Sequence, residues 1–99
     1  MHINLSEAFK DYLKANGFDS LVVMAPSFLG NSNEILAPNI QIGEPEDSLD
    51  HYSIFYAEGV TFYITNRLKI QSNISFDCRK VLGQEVIEMQ GYEIINIRQ

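Results

Sequence analysis

Cys78 is the residue of this chain with the most versatile chemistry, because a thiolate can act as a nucleophile or bind a soft metal. It is the only cysteine among the 99 residues, and Arg79 and Lys80 follow it directly. Basic neighbours can activate a thiol, but only His2 and His51 could serve as its general base, and no spacing places either one nearby. A lone cysteine is more often a small buried apolar residue. We therefore expect a structural role for Cys78 and retain it as a candidate metal ligand.

A second group of polar side chains lies between residues 44 and 51, where carboxylates and one imidazole follow one another closely. The potential ligands are Glu44, Glu46, Asp47, Asp50 and His51. Oxygen ligands on a turn suit Ca²⁺ or Mg²⁺, but this spacing is not that of an EF-hand loop and lacks its central glycine. The segment is therefore more typical of a solvated acidic turn, and His51 is the second candidate metal ligand.

Established catalytic patterns are missing from the rest of the sequence. The chain contains no GxxxxGK[ST], GxGxxG, HExxH or CxxC pattern. No acidic side chain has a visible basic partner for proton transfer. We therefore expect no enzymatic activity and assign no catalytic residue.

Composition and charge narrow the class of partner. An apolar share of 45% with 20% charged residues is typical of a soluble globular protein, and 99 residues suffice for a single domain over 1–99. The net charge is −6 and the seven basic residues are scattered, which argues against nucleic-acid binding. No apolar run approaches the ~18 residues of a membrane span, and the first residues do not resemble a signal peptide. We expect a cytoplasmic protein without membrane contact.

The strongest structural signal is a hairpin in residues 50–65. Two runs of β-branched and aromatic residues, Tyr52–Ala57 and Val60–Thr65, flank the dipeptide Glu58-Gly59. A two-residue connection containing glycine favours a tight β-turn, and counting outwards from it pairs Phe55 with Phe62. Both faces of this hairpin are largely apolar, so we expect it to be covered on both sides.

An amphipathic helix is predicted near the start of the chain. Ser6 can cap it and Gly17 can end it in the left-handed conformation. The apolar stripe consists of Leu5, Ala8, Phe9, Tyr12 and Leu13. Such a stripe faces a protein core more often than a membrane or a partner.

The remaining segments predict further short strands. Residues 21–25 and 39–42 are strands on this interpretation, residues 77–82 form one helical turn ending at Gly83, and Gln90-Gly91 is the turn of a closing hairpin. One N-terminal helix and about seven short strands without βαβ alternation favour the α+β class, with mixed or antiparallel strands folded on themselves.

The order of these elements resembles a known family. The segments INLSEAFKDYLK, PNIQIGEP, EGVTFYI, NISFDCRKVLG and GYEI are similar to the HesB/IscA-like A-type iron–sulfur carriers. The likeness is greatest to small HesB-like proteins and selenoproteins that carry a paired Cys, or Cys and selenocysteine, after the second strand. It covers nearly the whole chain and lies in the order and spacing of elements rather than in an invariant chemical motif.

The resemblance implies a compact β-rich HesB-like fold and a link to iron or iron–sulfur clusters, often in dimers or larger assemblies. This sequence departs from the pattern at the loop that should hold the thiol ligands. That loop reads Ser27, Phe28, Leu29, Gly30, Asn31, Ser32, Asn33 and contains no cysteine. Serine and asparagine are poor substitutes for thiolate at iron. No cofactor is assigned, and iron or a cluster remains the cofactor that the resemblance implies.

Three functional hypotheses follow. The first is a degenerate carrier-like domain that acts as a non-catalytic protein-binding module, through the loop 27–33 or an exposed sheet face. The second is a weak iron or cluster carrier that uses Cys78 from each chain of a homodimer, with the remaining ligands from His51, other side chains or an external thiol. The third is a small enzyme, for which the sequence offers no paired acid and base. We favour the first.

Overall fold

Strands dominate the chain in the computed structural model, which describes residues 2–24 and 38–94. In chain order the elements are β1 (His2–Leu5), α1 (Glu7–Asn16), β2 (Ser20–Met24), β3 (Asn39–Ile42), a 3₁₀ turn (Leu49–His51), β4 (Tyr52–Ala57), β5 (Val60–Thr65), β6 (Leu68–Val81) and β7 (Gln84–Ile94). The α-helix has ten residues. No helix in the described ranges is long and apolar enough to cross a membrane.

The strands form two mixed sheets. The three-stranded sheet has the order β1-β6-β7, with β1 parallel and β7 antiparallel to β6. The four-stranded sheet has the order β3-β2-β5-β4, in which β2 and β5 are parallel and the two outer pairs are antiparallel. Each sheet therefore joins segments that are distant in sequence.

The predicted α+β class, with short strands and a HesB-like fold, is wrong. Strands account for 62% of the described residues, the one α-helix among them is short, and β6 alone has 14 residues. The predicted helical turn at residues 77–82 is part of β6. Ile74, Phe76 and Cys78 are buried at every second position, which is the period of a strand, and Ser75 and Asp77 between them lie on the opposite face.

The core is built around three phenylalanine rings. Phe9 comes from α1, Phe62 from the four-stranded sheet and Phe76 from the three-stranded sheet, and all three are fully buried. The ring centroids lie 4.7 Å apart for Phe62 and Phe76, 5.6 Å for Phe9 and Phe76, and 6.5 Å for Phe9 and Phe62. Aromatic pairs at these separations contribute about 0.5–1.5 kcal/mol each beyond the area that they bury. The rings thus join the helix and both sheets.

The predicted start and end of the helix are confirmed. The Ser6 hydroxyl accepts a hydrogen bond from the Phe9 N–H at 3.1 Å, and Gly17 ends α1 with a φ of 70°. The Ser6 hydroxyl also donates to Asp77 Oδ1 at 2.6 Å, and the Ser6 N–H donates to the Phe76 carbonyl at 3.1 Å. The cap therefore fixes the start of the helix to β6.

The predicted central hairpin has the expected register. Ala57 pairs with Val60 and Phe55 with Phe62, around a turn in which Glu58 and Gly59 have φ values of 50° and 82°. Two consecutive positive φ values are those of a type I′ turn.

The hairpin is buried on one face and only partly covered on the other, where Thr65 of β5 is buried but two side chains of β4 are exposed. Phe62 and Ile64 are buried, whereas Tyr56 is 76% exposed and Ile54 is 38% exposed on the opposite face. The expected cover on both sides is therefore wrong for β4, whereas β5 is at least partly covered on both faces. The two exposed side chains belong to β4, at the edge of the sheet.

The predicted closing turn at Gln90-Gly91 is also wrong. The chain reverses at Leu82-Gly83 instead, and Gly91 lies inside β7 with a φ of 95°. Gly91 faces an irregular stretch of β6 between Ile70 and Ser75. A Cβ atom on Gly91 would overlap the Asn73 carbonyl oxygen and lie 2.9 Å from the Ile74 Cα. The glycine is therefore required by close backbone approach within the sheet.

Gly91→Ala should destabilise the protein more than Gly83→Ala does. Both substitutions incur the cost of placing a side chain in the left-handed region, about 1–2 kcal/mol. Only position 91 adds steric overlap, because nothing lies within 4 Å of a Cβ on Gly83. Urea unfolding of the two variants measures the difference, and equal free energies of unfolding would contradict the close approach described here.

Candidate functional site

Cys78 lies on the core-facing side of β6 and is buried, with 5% of its surface exposed. Its thiol donates a hydrogen bond to the Glu85 carboxylate, with Sγ and Oε2 3.0 Å apart. The backbone N–H of Cys78 donates to Asp77 Oδ1 at 2.7 Å. Burial, the hydrogen bond to Glu85 and the negative charges of Glu85 and Asp77 raise the pKa of the Cys78 thiol to about 12. The side chain is therefore a neutral thiol at physiological pH.

The basic neighbours of Cys78 do not activate it. Arg79 forms an ion pair with Glu88, with Nη2 and Oε2 2.8 Å apart, and Glu88 lies opposite Asp77 in the strand pairing. A raised thiol pKa lowers the fraction of thiolate, which is the form that attacks an electrophile or binds a metal. The environment of Cys78 favours the structural role that we expected.

His51 lies at a separate pocket of about 510 Å³, beside the end of β2 and the start of β4. Its Nδ1 is 3.0 Å from Asp47 Oδ2, and the Tyr52 hydroxyl donates to Asp47 Oδ1 at 2.7 Å. These hydrogen bonds, from His51 first and Tyr52 second, lower the pKa of the Asp47 carboxyl. The bond to Asp47 raises the pKa of the Tyr52 hydroxyl. The arrangement orients the imidazole but leaves both His51 and Asp47 more than half exposed.

Hydrogen bonds organise the acidic turn beside this pocket. Asp50 contributes its backbone carbonyl to the side-chain amide of Asn66, at 3.1 Å, and thereby holds the turn against β5. Within residues 2–24 and 38–94, no group of three or more His, Cys, Asp or Glu side chains is placed to hold a metal ion. The acidic segment has the organisation of a capped turn.

The sequence-predicted site residues do not come together. Cys78 lines a pocket against α1, and His51 lines the pocket at the end of β2. The predicted binding loop, residues 27–33, lies outside the described residues. The two candidate metal ligands are therefore parts of different surfaces.

Sequence reasoning missed an apolar tip on the β6–β7 hairpin. This tip, which we define as Val81, Leu82 and Val86, places three aliphatic side chains in solvent, and Leu82 is 99% exposed. Leu82 also has a positive φ of 52°, a conformation that is costly for a bulky residue. The signal was present in the sequence as Leu82-Gly83 between two strand-forming runs, but the interpretation of residues 77–82 as helical concealed it.

One comparison with known proteins identifies the family of the chain. The sequence profile of the CC/Se motif containing family matches residues 1–92. The chain belongs to this family. No curated protein and no solved structure gives a significant match. The match does not refer to HesB/IscA-like carriers. This member of the CC/Se motif containing family has a single cysteine and therefore no cysteine pair.

Glu85→Gln should make Cys78 more reactive. Replacing the carboxylate by a neutral amide weakens the acceptor of the thiol hydrogen bond and removes the negative charge beside the thiol, so the pKa of Cys78 should fall and its alkylation by iodoacetamide at pH 8 should accelerate. Glu88→Gln is the matched control, because Glu88 contacts Arg79 and not the thiol. Equal alkylation rates in the two variants would show that Glu85 does not govern the thiol.

Proposed function

We propose that this chain is a non-catalytic protein-binding module of the CC/Se motif containing family. The proposal is supported by the state of its one cysteine, which is buried and hydrogen-bonded to a carboxylate. Such a thiol is a poor nucleophile and a poor ligand. Contact with another protein requires neither property.

The observation that carries the proposal is Leu82. The described residues contain two hairpin turns of the same conformation, since Glu58-Gly59 has φ values of 50° and 82° and Leu82-Gly83 has values of 52° and 82°. Glu58 is engaged by Lys10 at 3.4 Å, whereas Leu82 projects fully into solvent. Asparagine, aspartate or glycine would satisfy the turn at lower cost. A fully exposed leucine in this conformation does not help the fold, and binding by a partner would account for it.

The surroundings of the tip indicate the chemistry of the partner. The tip combines a small apolar surface with nearby charges of both signs, from Lys80 and Glu85 on one face and Arg79 and Glu88 on the other. Interfaces commonly have an apolar centre with a polar rim. We infer that the partner offers a shallow apolar pocket that receives Leu82.

Leu82→Asn tests this role, because the substitution should increase the stability of the fold and at the same time weaken binding to the partner. Asparagine before glycine favours the type I′ turn, so the free energy of unfolding should rise by about 0.5–1 kcal/mol. Loss of the apolar side chain should abolish the contact with the partner. Urea unfolding measures the first effect, and crosslinking in cells with a photoreactive amino acid at position 86, which leaves position 82 available for the substitution, measures the second.

Leu49→Asn is the matched control for the partner contact. Leu49 is 52% exposed and lies on the acidic turn, away from the tip. Species that crosslink to the tip should persist in Leu49→Asn and disappear in Leu82→Asn. Absence of specific crosslinks, or their persistence in Leu82→Asn, would refute the tip as a binding surface.

A second candidate function is that of a weak iron or iron–sulfur cluster carrier. It rests on the sequence resemblance to HesB/IscA-like carriers, and it requires Cys78 as a ligand contributed by each chain of a dimer. Burial of the thiol and its bond to Glu85 disfavour this use of Cys78. If the chain is instead linked to iron–sulfur handling through a binding partner, Cys78 does not need to act as a ligand.

Anaerobic reconstitution with iron and sulfide separates the two functions. We expect the gel-filtered protein to be colourless and free of iron, with no difference between the wild type and Cys78→Ser, because the thiol is held neutral inside the core. Absorption spectra and iron analysis provide the measurement. A sulfur-to-iron charge-transfer band that Cys78→Ser abolishes would establish the carrier function instead.

A further inference from the structure

β4 differs from the other sheet edges in the described part of the chain. β1 and β3 have only four residues each, and Gly43 and Pro45 follow β3. β7 carries three glutamates and is interrupted by the irregularity at Gly91. Short length, charge and irregularity are the features that discourage a sheet edge from pairing with another chain. Three of the four edges are therefore protected.

β4 has none of these protections. Its six residues, Tyr52–Ala57, include no charge, no proline and no glycine, and all six pair in regular register with β5. Among the strands described, β5 is its only neighbour. Edge strands with a regular backbone and neutral side chains are templates for pairing with a further strand.

The register shows which backbone groups point away from β5. In a two-residue hairpin the pair next to the turn exchanges both hydrogen bonds, here Ala57 and Val60, and bonded pairs then alternate along the strands. The bond from the Asn66 N–H to the His51 carbonyl, at 2.9 Å, agrees with this alternation. Ile54 and Tyr56 therefore direct their N–H and C=O groups towards the open edge.

We propose that β4 pairs antiparallel with β4 of a second copy of this chain, so that the two four-stranded sheets become continuous. A two-fold axis perpendicular to the sheet keeps corresponding faces on the same side. Centred on Ile54, it places Ile54 opposite its counterpart and Tyr56 opposite Tyr52. The Tyr52 N–H is bonded to the Leu49 carbonyl, and its carbonyl remains to accept from the Tyr56 N–H of the other copy.

Charge explains why a second copy fits this edge. Each chain carries a net charge of −6, so most contacts between copies bring like charges together. β4 is neutral throughout, and self-pairing places no like charges opposite one another within the strand. Glu58, just beyond the strand, is already paired with Lys10. The paired strands also align their exposed Ile54 and Tyr56 side chains on one face, where each covers apolar surface of the other.

Sedimentation velocity over a range of concentrations tests the proposal, which does not depend on the function of the tip. The wild type should pass from 11.3 kDa monomer to dimer as concentration rises, and high salt should favour the dimer because it screens the repulsion between acidic chains. Ile54→Lys should remain monomeric, since two lysines would face each other at the axis. The amides of Ile54 and Tyr56 should exchange slowly only at concentrations that support the dimer.

Val86→Lys is the matched control. Val86 is a β-branched residue on the other long edge strand, with 37% exposure against 38% for Ile54. The Val86→Lys variant should dimerise like the wild type. A wild type that is monomeric at every concentration overturns the proposal, as does an Ile54→Lys variant that still dimerises or a Val86→Lys variant that does not. Slow exchange of both amides at all concentrations would instead show that the chain covers its own edge.

Discussion

The contact among Phe9, Phe62 and Phe76 is the interaction on which the rest of the structure depends. Each ring comes from a different part of the fold: the helix, the four-stranded sheet and the three-stranded sheet. The parallel pairings within each sheet, β1 with β6 and β2 with β5, join segments far apart in sequence. Such pairings repay their loop-closure entropy only when a shared core forms. The three rings supply the centre of that core.

The same core determines what Cys78 can do. Phe76 and Cys78 lie two residues apart on β6, so the pleat directs both side chains to the same face, and the thiol lies at the margin of the phenylalanine cluster. Burial and the Glu85 carboxylate both disfavour a negative charge on sulfur there. As pH rises from 9.0, the ordinary pKa of a thiol, towards about 12, the unfolded chain ionises before the folded one, so this group progressively lowers the free energy of unfolding over that range and the loss remains at higher pH. Such a thiol serves packing at neutral pH.

The sequence was sufficient to predict those parts of the structure that are determined by residues close together in the chain. The register of Tyr52–Ala57 with Val60–Thr65 follows from one turn, and Ser6 and Gly17 bound the helix through contacts within one helical turn. The sequence was insufficient where the structure depends on pairing between residues that are distant in the sequence. Leu82-Gly83 and Gln90-Gly91 are equivalent as local turn signals, and the choice between them is made by pairing Phe76 with Met89 and by the close approach of Gly91 to Asn73. The position of Cys78 beside Glu85 depends on that choice, so the environment of the candidate site could not be predicted either.

The two proposed contact surfaces have in common that each keeps side chains which folding alone does not favour. A sequence selected only for folding would replace Leu82 by asparagine and would place a charge on β4, because either change relieves a cost without touching the core. The phenylalanine cluster requires neither an exposed leucine at position 82 nor a neutral β4. The protein nevertheless keeps both features. The tip and the edge belong to different sheets. A dimer formed through β4 would therefore leave both tips accessible, and a partner with two apolar pockets would bind two linked tips more tightly than one.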